Sequence, residues 1–177
     1  MSGGNKLISV VVSVYNEEEA LESFYNEALR YLKKLGRGYE ILFVNDGSID
    51  GSREILDSMA AADKNVKIIH FSRNFGHEAA MTAGIDYAQG DALICMDADL
   101  QHPVACIPQM LEKFDQGFDV VNMIRTVNKS AGKIKNIASS GFYTVINLLS
   151  DTKIEKNASD FFGISKRAAE VLRKSYR

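Results

Sequence analysis

Asp97 and Asp99 stand one residue apart in CMDADLQHP (95–103), directly after an apolar run, with Gln101 and His102 close behind. Alternate residues at a strand end point to the same side, so the two carboxylates can aim together. Like charges there repel and desolvation adds to the cost, unless a cation lies between them or one is protonated. Mg²⁺ or Mn²⁺ suits such a pair: it takes a few carboxylate oxygens, keeps some waters and gives its other positions to substrate phosphates. Asp97 and Asp99 therefore make sense as a bridge between a metal and a diphosphate. Taken singly, each polar residue has an ordinary explanation. A D-x-D can solvate a loop end, Asp46 can serve a turn and Asp50 a helix cap, His77 can be a cap or a surface histidine, and His102 can belong to a turn before Pro103.

Their collective order weighs against that explanation, and it depends on the elements that carry them. Apolar β-branched runs alternate with segments of helical period. Leu7–Val14 reads as a strand buried on both faces, followed by a helix with its apolar stripe at Leu21, Phe24, Tyr25, Ala28, Leu32 and Leu35, closed by Gly36 and Gly38. Tyr39–Val44, Val66–Phe71, Ala92–Met96 and Phe118–Met123 read as four further strands. Between them fall a stripe beginning at Ile55, Leu56 and Met59, a helix from about 77 to 89 and another from about 104 to 116. The spacing then predicts a helix from about 135 to 149, an irregular stretch leading to SDFFGIS, and a short helix over Lys166–Ser175. This order predicts a mostly parallel sheet with helices on both faces.

Open parallel sheets bind ligands outside the carboxyl ends of their strands. Asn16 and Glu17, NDGSID (45–50), SRNFGH (72–77) and DADLQH (97–102) follow four successive strands, so acids and amides collect on one rim. Neither G-x-G-x-x-G nor the phosphate-binding G-x-x-x-x-G-K-[ST] is present; the first loop, YNEEEA, is acidic and glycine-free. That loop argues against a nucleotidyltransferase, and a D-x-D after the fourth strand argues against a phosphatase. A non-catalytic binding module stays open.

The 177 residues suit one domain, and 46 % apolar content is enough for a substantial core. A net charge of −2 with dispersed Lys and Arg gives no nucleic-acid surface, beyond a mild cluster at Arg125, Lys129, Lys133 and Lys135. The two cysteines make no disulfide framework, and Cys95 reads as a small buried hydrophobe in a reducing compartment. No signal peptide is read at the start, and no run reaches the roughly 18 apolar residues a membrane span needs. The chain itself is expected to be soluble.

ISVVVSVYNEEEAL, YEILFVNDGSIDGS, FSRNFGHEAAMTAGIDYAQGD and MDADLQHP together resemble the successive motifs of family 2 glycosyltransferases. More narrowly, they resemble the branch of dolichyl-phosphate mannose synthase and bacterial polyprenyl-phosphate glycosyltransferases. The resemblance runs nearly the whole chain. It implies a GT-A fold, a UDP- or GDP-linked sugar donor, a divalent Mg²⁺ or Mn²⁺ at the D-x-D, and transfer with inversion to a polyprenyl phosphate. By the same resemblance Tyr15, Asn16 and Glu17 would edge the nucleobase and ribose pocket, and Asp46 would contact base or ribose. Asp97 would meet the sugar or ribose side, while Asp99, Gln101 and Asp97 would serve the metal. Arg125 falls where the family has an arginine for the donor diphosphate or acceptor phosphate, and Asp160 falls at the acid of the family's DFRL motif.

Two departures touch anion-binding positions: Phe162 replaces the arginine of DFRL, and Asn128 replaces a second basic residue after Arg125. A phosphate acceptor is already an anion near neutral pH, so Asp160 could orient it, whereas a saccharide hydroxyl would need a carboxylate base. Both acceptor classes stay open. Residues 1–177 are expected to be a single GT-A catalytic domain cut short before interface and membrane helices. The full-length protein is expected at the cytoplasmic face of a membrane.

Overall fold

The computed structural model describes residues 6–101, 103–124 and 158–175, with backbone alone at 124 and 158–160. Four of its strands come from the β-branched runs: β1 (Ile8–Val14), β2 (Tyr39–Asn45), β3 (Val66–His70) and β4 (Ala92–Asp97). β1 pairs in parallel with β2 and with β4, and β2 in parallel with β3. β1 is therefore central and buried on both faces, which is why its sequence is a near-continuous apolar run. With β5 (Val120–Ile124) and β6 (Ala158–Ser165) the sheet order is β3-β2-β1-β4-β6-β5.

The helices alternate with the strands: α1 (Leu21–Leu32), α2 (Ser52–Ala62), α3 (His77–Tyr87), α4 (Ile107–Asp115) and α5 (Lys166–Ser175). A 3-10 turn over Lys33–Leu35 and left-handed Gly36 end α1, and a second 3-10 turn over Val104–Cys106 precedes α4. One face of the sheet, through Val11, Leu42, Leu93, Cys95 and Ile164, packs on Met81 and Ile85 of α3 and Ala169 of α5. Gly84 lets α3 lie this close, because a Cβ there would stand 2.2 Å from Val11 Cγ1. The opposite face carries Val10, Val12, Ile41 and Phe43, and Phe24 of α1 meets the Phe43 ring edge-on at 6.0 Å. Burial pushes the Cys95 thiol up to about 12, as suits an inert core residue.

One strand was not expected. SDFFGIS, to which the sequence assigns no element, lies in β6, a sixth strand antiparallel to β4 and seated between β4 and β5. Phe161 and Ile164 bury their side chains, and Gly163 leaves room for Phe114, Ile94 and Met110, whose atoms a Cβ would meet at 2.9–3.1 Å. The helix expected near 135–149 lies outside the described residues. The chain divides into two compact units, Met1–Val121 with Asp160–Arg177, and Asn122–Ser159. Among the described residues no helix is long and apolar enough to cross a membrane.

Candidate active site

The loops after β1, β2 and β3 are knitted together at the C-terminal edge of the sheet. Asn16 adopts a left-handed backbone (φ 56°), which asparagine tolerates better than most residues. Its N–H donates to Ser48 Oγ at 3.0 Å, and its Oδ1 accepts the Ile49 N–H at 2.9 Å. Asn16 therefore clasps the second loop to the first. Asp46 is buried, 3 % exposed, and its two oxygens accept the N–H groups of Phe75 (2.7 Å) and Gly76 (2.9 Å) from the third loop. Each of those oxygens keeps a second lone pair. Gly47 stands where these loops touch: its φ is +69°, and a Cβ would come 2.3 Å from the Arg73 carbonyl carbon. Beyond it the Arg73 guanidinium lies 4.7 Å over the Phe75 ring.

Asp97, the last residue of β4, is in register with Ser13 of β1. Ser13 Oγ donates to Asp97 Oδ1 at 2.6 Å, and His77 Nδ1, at the start of α3, lies 3.3 Å from the same oxygen. Ala98 is buried, so the chain turns its two flanking acids outward. Asp99 Oδ1 accepts the Gln101 N–H at 2.9 Å around Leu100, which is itself left-handed (φ 59°). Across the rim, burial raises the Glu17 carboxyl above 4.5, and the charges of Asp99, Asp97 and Asp50 raise it further. Glu17, Asp97 and Asp99 thus share one electrostatic environment. Among the described residues no ion pair involves Glu17 or Asp99.

That environment fits a hard divalent cation: the oxygen donors of Asp97 and Asp99 share one sheet edge, and neither Glu17 nor Asp99 has an ion-pair partner among the described residues. Among the described residues no three His, Cys, Asp or Glu gather closely enough to hold an ion by themselves. One or two carboxylates completed by amide, water and substrate phosphate is the usual provision for Mg²⁺.

Asp46, Asp97 and Asp99 all fall at this edge, with Tyr15, Asn16 and Glu17 on the adjoining loop and Tyr15 46 % exposed. On β6, Cys95 pairs with Phe162; counting on in this antiparallel register, the Asp160 backbone falls opposite Asp97. Arg125, Lys129, Lys133, Lys135 and His102 lie outside the described residues. Two residues of the site were not assigned to it from the sequence. Ser13 looks like one more small residue of a buried strand, and its one signal is a hydroxyl among valines at the level of Asp97. His77 falls in the rim loop SRNFGH, but its type and position alone give it no role beyond a cap or a surface residue.

Comparison with known proteins gives a consistent result. The chain is 41 % identical over 166 residues to the uncharacterized glycosyltransferase YkcC of Bacillus subtilis (strain 168), covering 94 % of this chain and 51 % of that protein. It is 40 % identical over 166 residues to the prophage bactoprenol glucosyl transferase homolog of Escherichia coli (strain K12), covering 94 % and 54 %. The chain thus spans about half the length of the curated relatives it matches. Among solved structures, the mannosyltransferase PcManGT from Pyrobaculum calidifontis, in complex with GDP-Man and Mn²⁺, superposes with a TM-score of 0.64 at 16 % identity, covering 96 % of this chain and 47 % of that one. The fold is GT-A. The family model for glycosyl transferase family 2 matches residues 9–173, and the chain belongs to that family.

Proposed function

We propose that this chain carries the donor site and catalytic acids of an inverting glycosyltransferase that moves a sugar from a UDP- or GDP-linked donor to a polyprenyl phosphate. The observation that carries it is the D-x-D pair of Asp97 and Asp99 at the carboxyl edge of a parallel sheet, near enough to Glu17 for their charges to raise its carboxyl. Relatives named for bactoprenol glucosyl transfer support the prenyl acceptor. Tyr15, Asn16, Glu17 and the loop that Asp46 ties down border the nucleobase and ribose. Asp97, Asp99 and Gln101 would hold Mg²⁺ or Mn²⁺, which when bound offsets charge on the departing diphosphate.

Asp160, beside Asp97 by register, orients the acceptor. A phosphate oxygen needs no deprotonation near neutral pH, so this acid has no obligatory role as a base. Arg125 meets the donor diphosphate or the acceptor phosphate. With Lys129, Lys133 and Lys135 it would face the cytoplasmic membrane surface, where each basic residue contributes about 1 kcal/mol.

A thermal-shift panel of sugar nucleotides tests the donor. One UDP- or GDP-sugar should stabilise the chain only with Mn²⁺, by about 2.7 kcal/mol at a hundred times its Kd. Labelled donor offered to the extended protein with polyprenyl phosphate or a soluble oligosaccharide tests the acceptor. Label should move to the lipid; label only in the oligosaccharide would recast Asp160 as a general base.

A further inference from the structure

Hydrogen bonding at Asp97 is one-sided. An ionised carboxylate only accepts, so the single Ser13 hydroxyl proton is committed to Asp97 Oδ1 at 2.6 Å. Ser13 Oγ then offers a lone pair to His77 Nδ1, 3.1 Å away, and that nitrogen also lies 3.3 Å from Oδ1. The network assigns the proton to Nδ1, which donates to Ser13 Oγ and stands 3.3 Å from Oδ1. The hydroxyl and the ring N–H therefore gather on the Oδ1 side of the carboxylate, while Oδ2 has no partner among the described residues. Both donors come from rigid places, the central strand of the sheet and the first residue of an 11-residue helix packed across it.

We propose that Ser13 and His77 are positioning residues that lock Asp97 in one rotamer, Ser13 by its bond to Oδ1 and His77 by fixing the Ser13 hydroxyl, so that Oδ2 is the oxygen that meets a divalent cation arriving with the donor diphosphate. This rests on the donor site proposed above. The lock removes the carboxylate rotation that would otherwise be lost on binding. It also favours single-oxygen coordination over chelation, which leaves positions for phosphate oxygens and water.

Isothermal titration calorimetry of UDP and GDP, with and without Mn²⁺, tests the lock in the unmodified chain and in Ser13→Ala, His77→Ala and His77→Asn. An asparagine amide can stand where Nδ1–H stands, so it restores the bond without the ring. The factor by which Mn²⁺ tightens nucleotide binding should fall about tenfold or more in both alanine variants, the scale usual for groups that orient metal ligands. It should stay within about threefold of the unmodified value in His77→Asn, and metal-free affinity and melting temperature should hardly move. Alanine variants that keep the full metal effect overturn the lock while leaving the donor site standing. So does His77→Asn binding as weakly as His77→Ala, which would reduce the ring to local packing. An unmodified chain whose nucleotide binding ignores Mn²⁺ overturns the donor site and the lock together. Should Ser13→Ala fail to fold, the two His77 variants decide the matter.

Discussion

Helix α3 lies along β1 and is tied to it near each end through a serine of that strand, but the two ends treat their carboxylates in opposite ways. At the N-terminal end Ser9 Oγ donates to Glu40 Oε1 at 2.5 Å and accepts the Gly90 N–H at 2.8 Å, just past α3. Glu40 also accepts the Gln89 N–H at 2.8 Å and pairs with Lys67 Nζ at 2.6 Å. Burial opposes its ionisation, but Lys67, Ser9 and Gln89 outweigh burial and hold its carboxyl below 4.5. At the C-terminal end Ser13 donates to only one oxygen of Asp97, with His77 3.3 Å from that oxygen, and Glu17 is pushed the other way by burial and by its acidic neighbours. A carboxylate that holds the fold is neutralised from within. On the candidate rim, Glu17 and Asp99 have no ion-pair partner among the described residues.

The sharpest way to break this contrast is Glu40→Ala. It strands the Gln89 N–H, deprives Ser9 of its acceptor and removes the partner of Lys67, so urea unfolding should show a loss of about 3 kcal/mol. Nucleotide affinity per folded molecule should not change. A loss of binding without a loss of stability would reverse the roles given to the two ends.

Asp99→Asn should do the converse. Removing one of several repelling acids should leave the metal-free chain as stable or up to about 1 kcal/mol more stable, since nearby like charges weaken a fold modestly. It should abolish the Mn²⁺-dependent stabilisation by nucleotide diphosphate. Undiminished metal-dependent binding would remove Asp99 from the ligand set.

The smallest effect is in the pH dependence. Glu40 has a lower pKa folded than its unfolded 4.5, so its contribution is complete above 4.5 and is lost as pH falls through the folded value. Glu17 has a higher pKa folded than 4.5, so its penalty is absent below 4.5 and grows as pH rises through the folded value. Glu17→Gln should therefore stabilise the metal-free chain toward neutral pH and do little in acid, while Glu40→Gln should destabilise most toward neutral pH. Urea titrations from acid to neutral pH would reveal parallel profiles if the two acids were alike.

The strands around β1 were legible because burial on both faces demands apolar β-branched residues, and that requirement is written into Leu7–Val14 and Ala92–Met96. The rim was legible for a related reason: polar residues following four such runs in succession must meet at one sheet edge. β6 was not legible. Ala158–Ser165 has no β-branched run and carries Gly163 mid-strand, a choice set by Phe114, Ile94 and Met110 on elements distant in sequence. Asp46 was read as a contact for the nucleotide, but its bonds to Phe75 and Gly76 lie across a tertiary junction that no local pattern announces. Ser13 escaped for the same reason, since its meaning comes from a register with Asp97 and from the helix above them.

The antiparallel seating of β6 beside β4 has a consequence in time. Bringing β4 to β1 closes a connection of roughly 80 residues and bringing β4 to β6 one of roughly 60, a difference in chain entropy of only about 0.2 kcal/mol. Loop closure therefore does not set their order, but synthesis does: Glu17, Asp97 and Asp99 all precede β6 in the chain, and Asp160 follows them. A nascent chain would then have made the acids of the rim before the strand that carries Asp160.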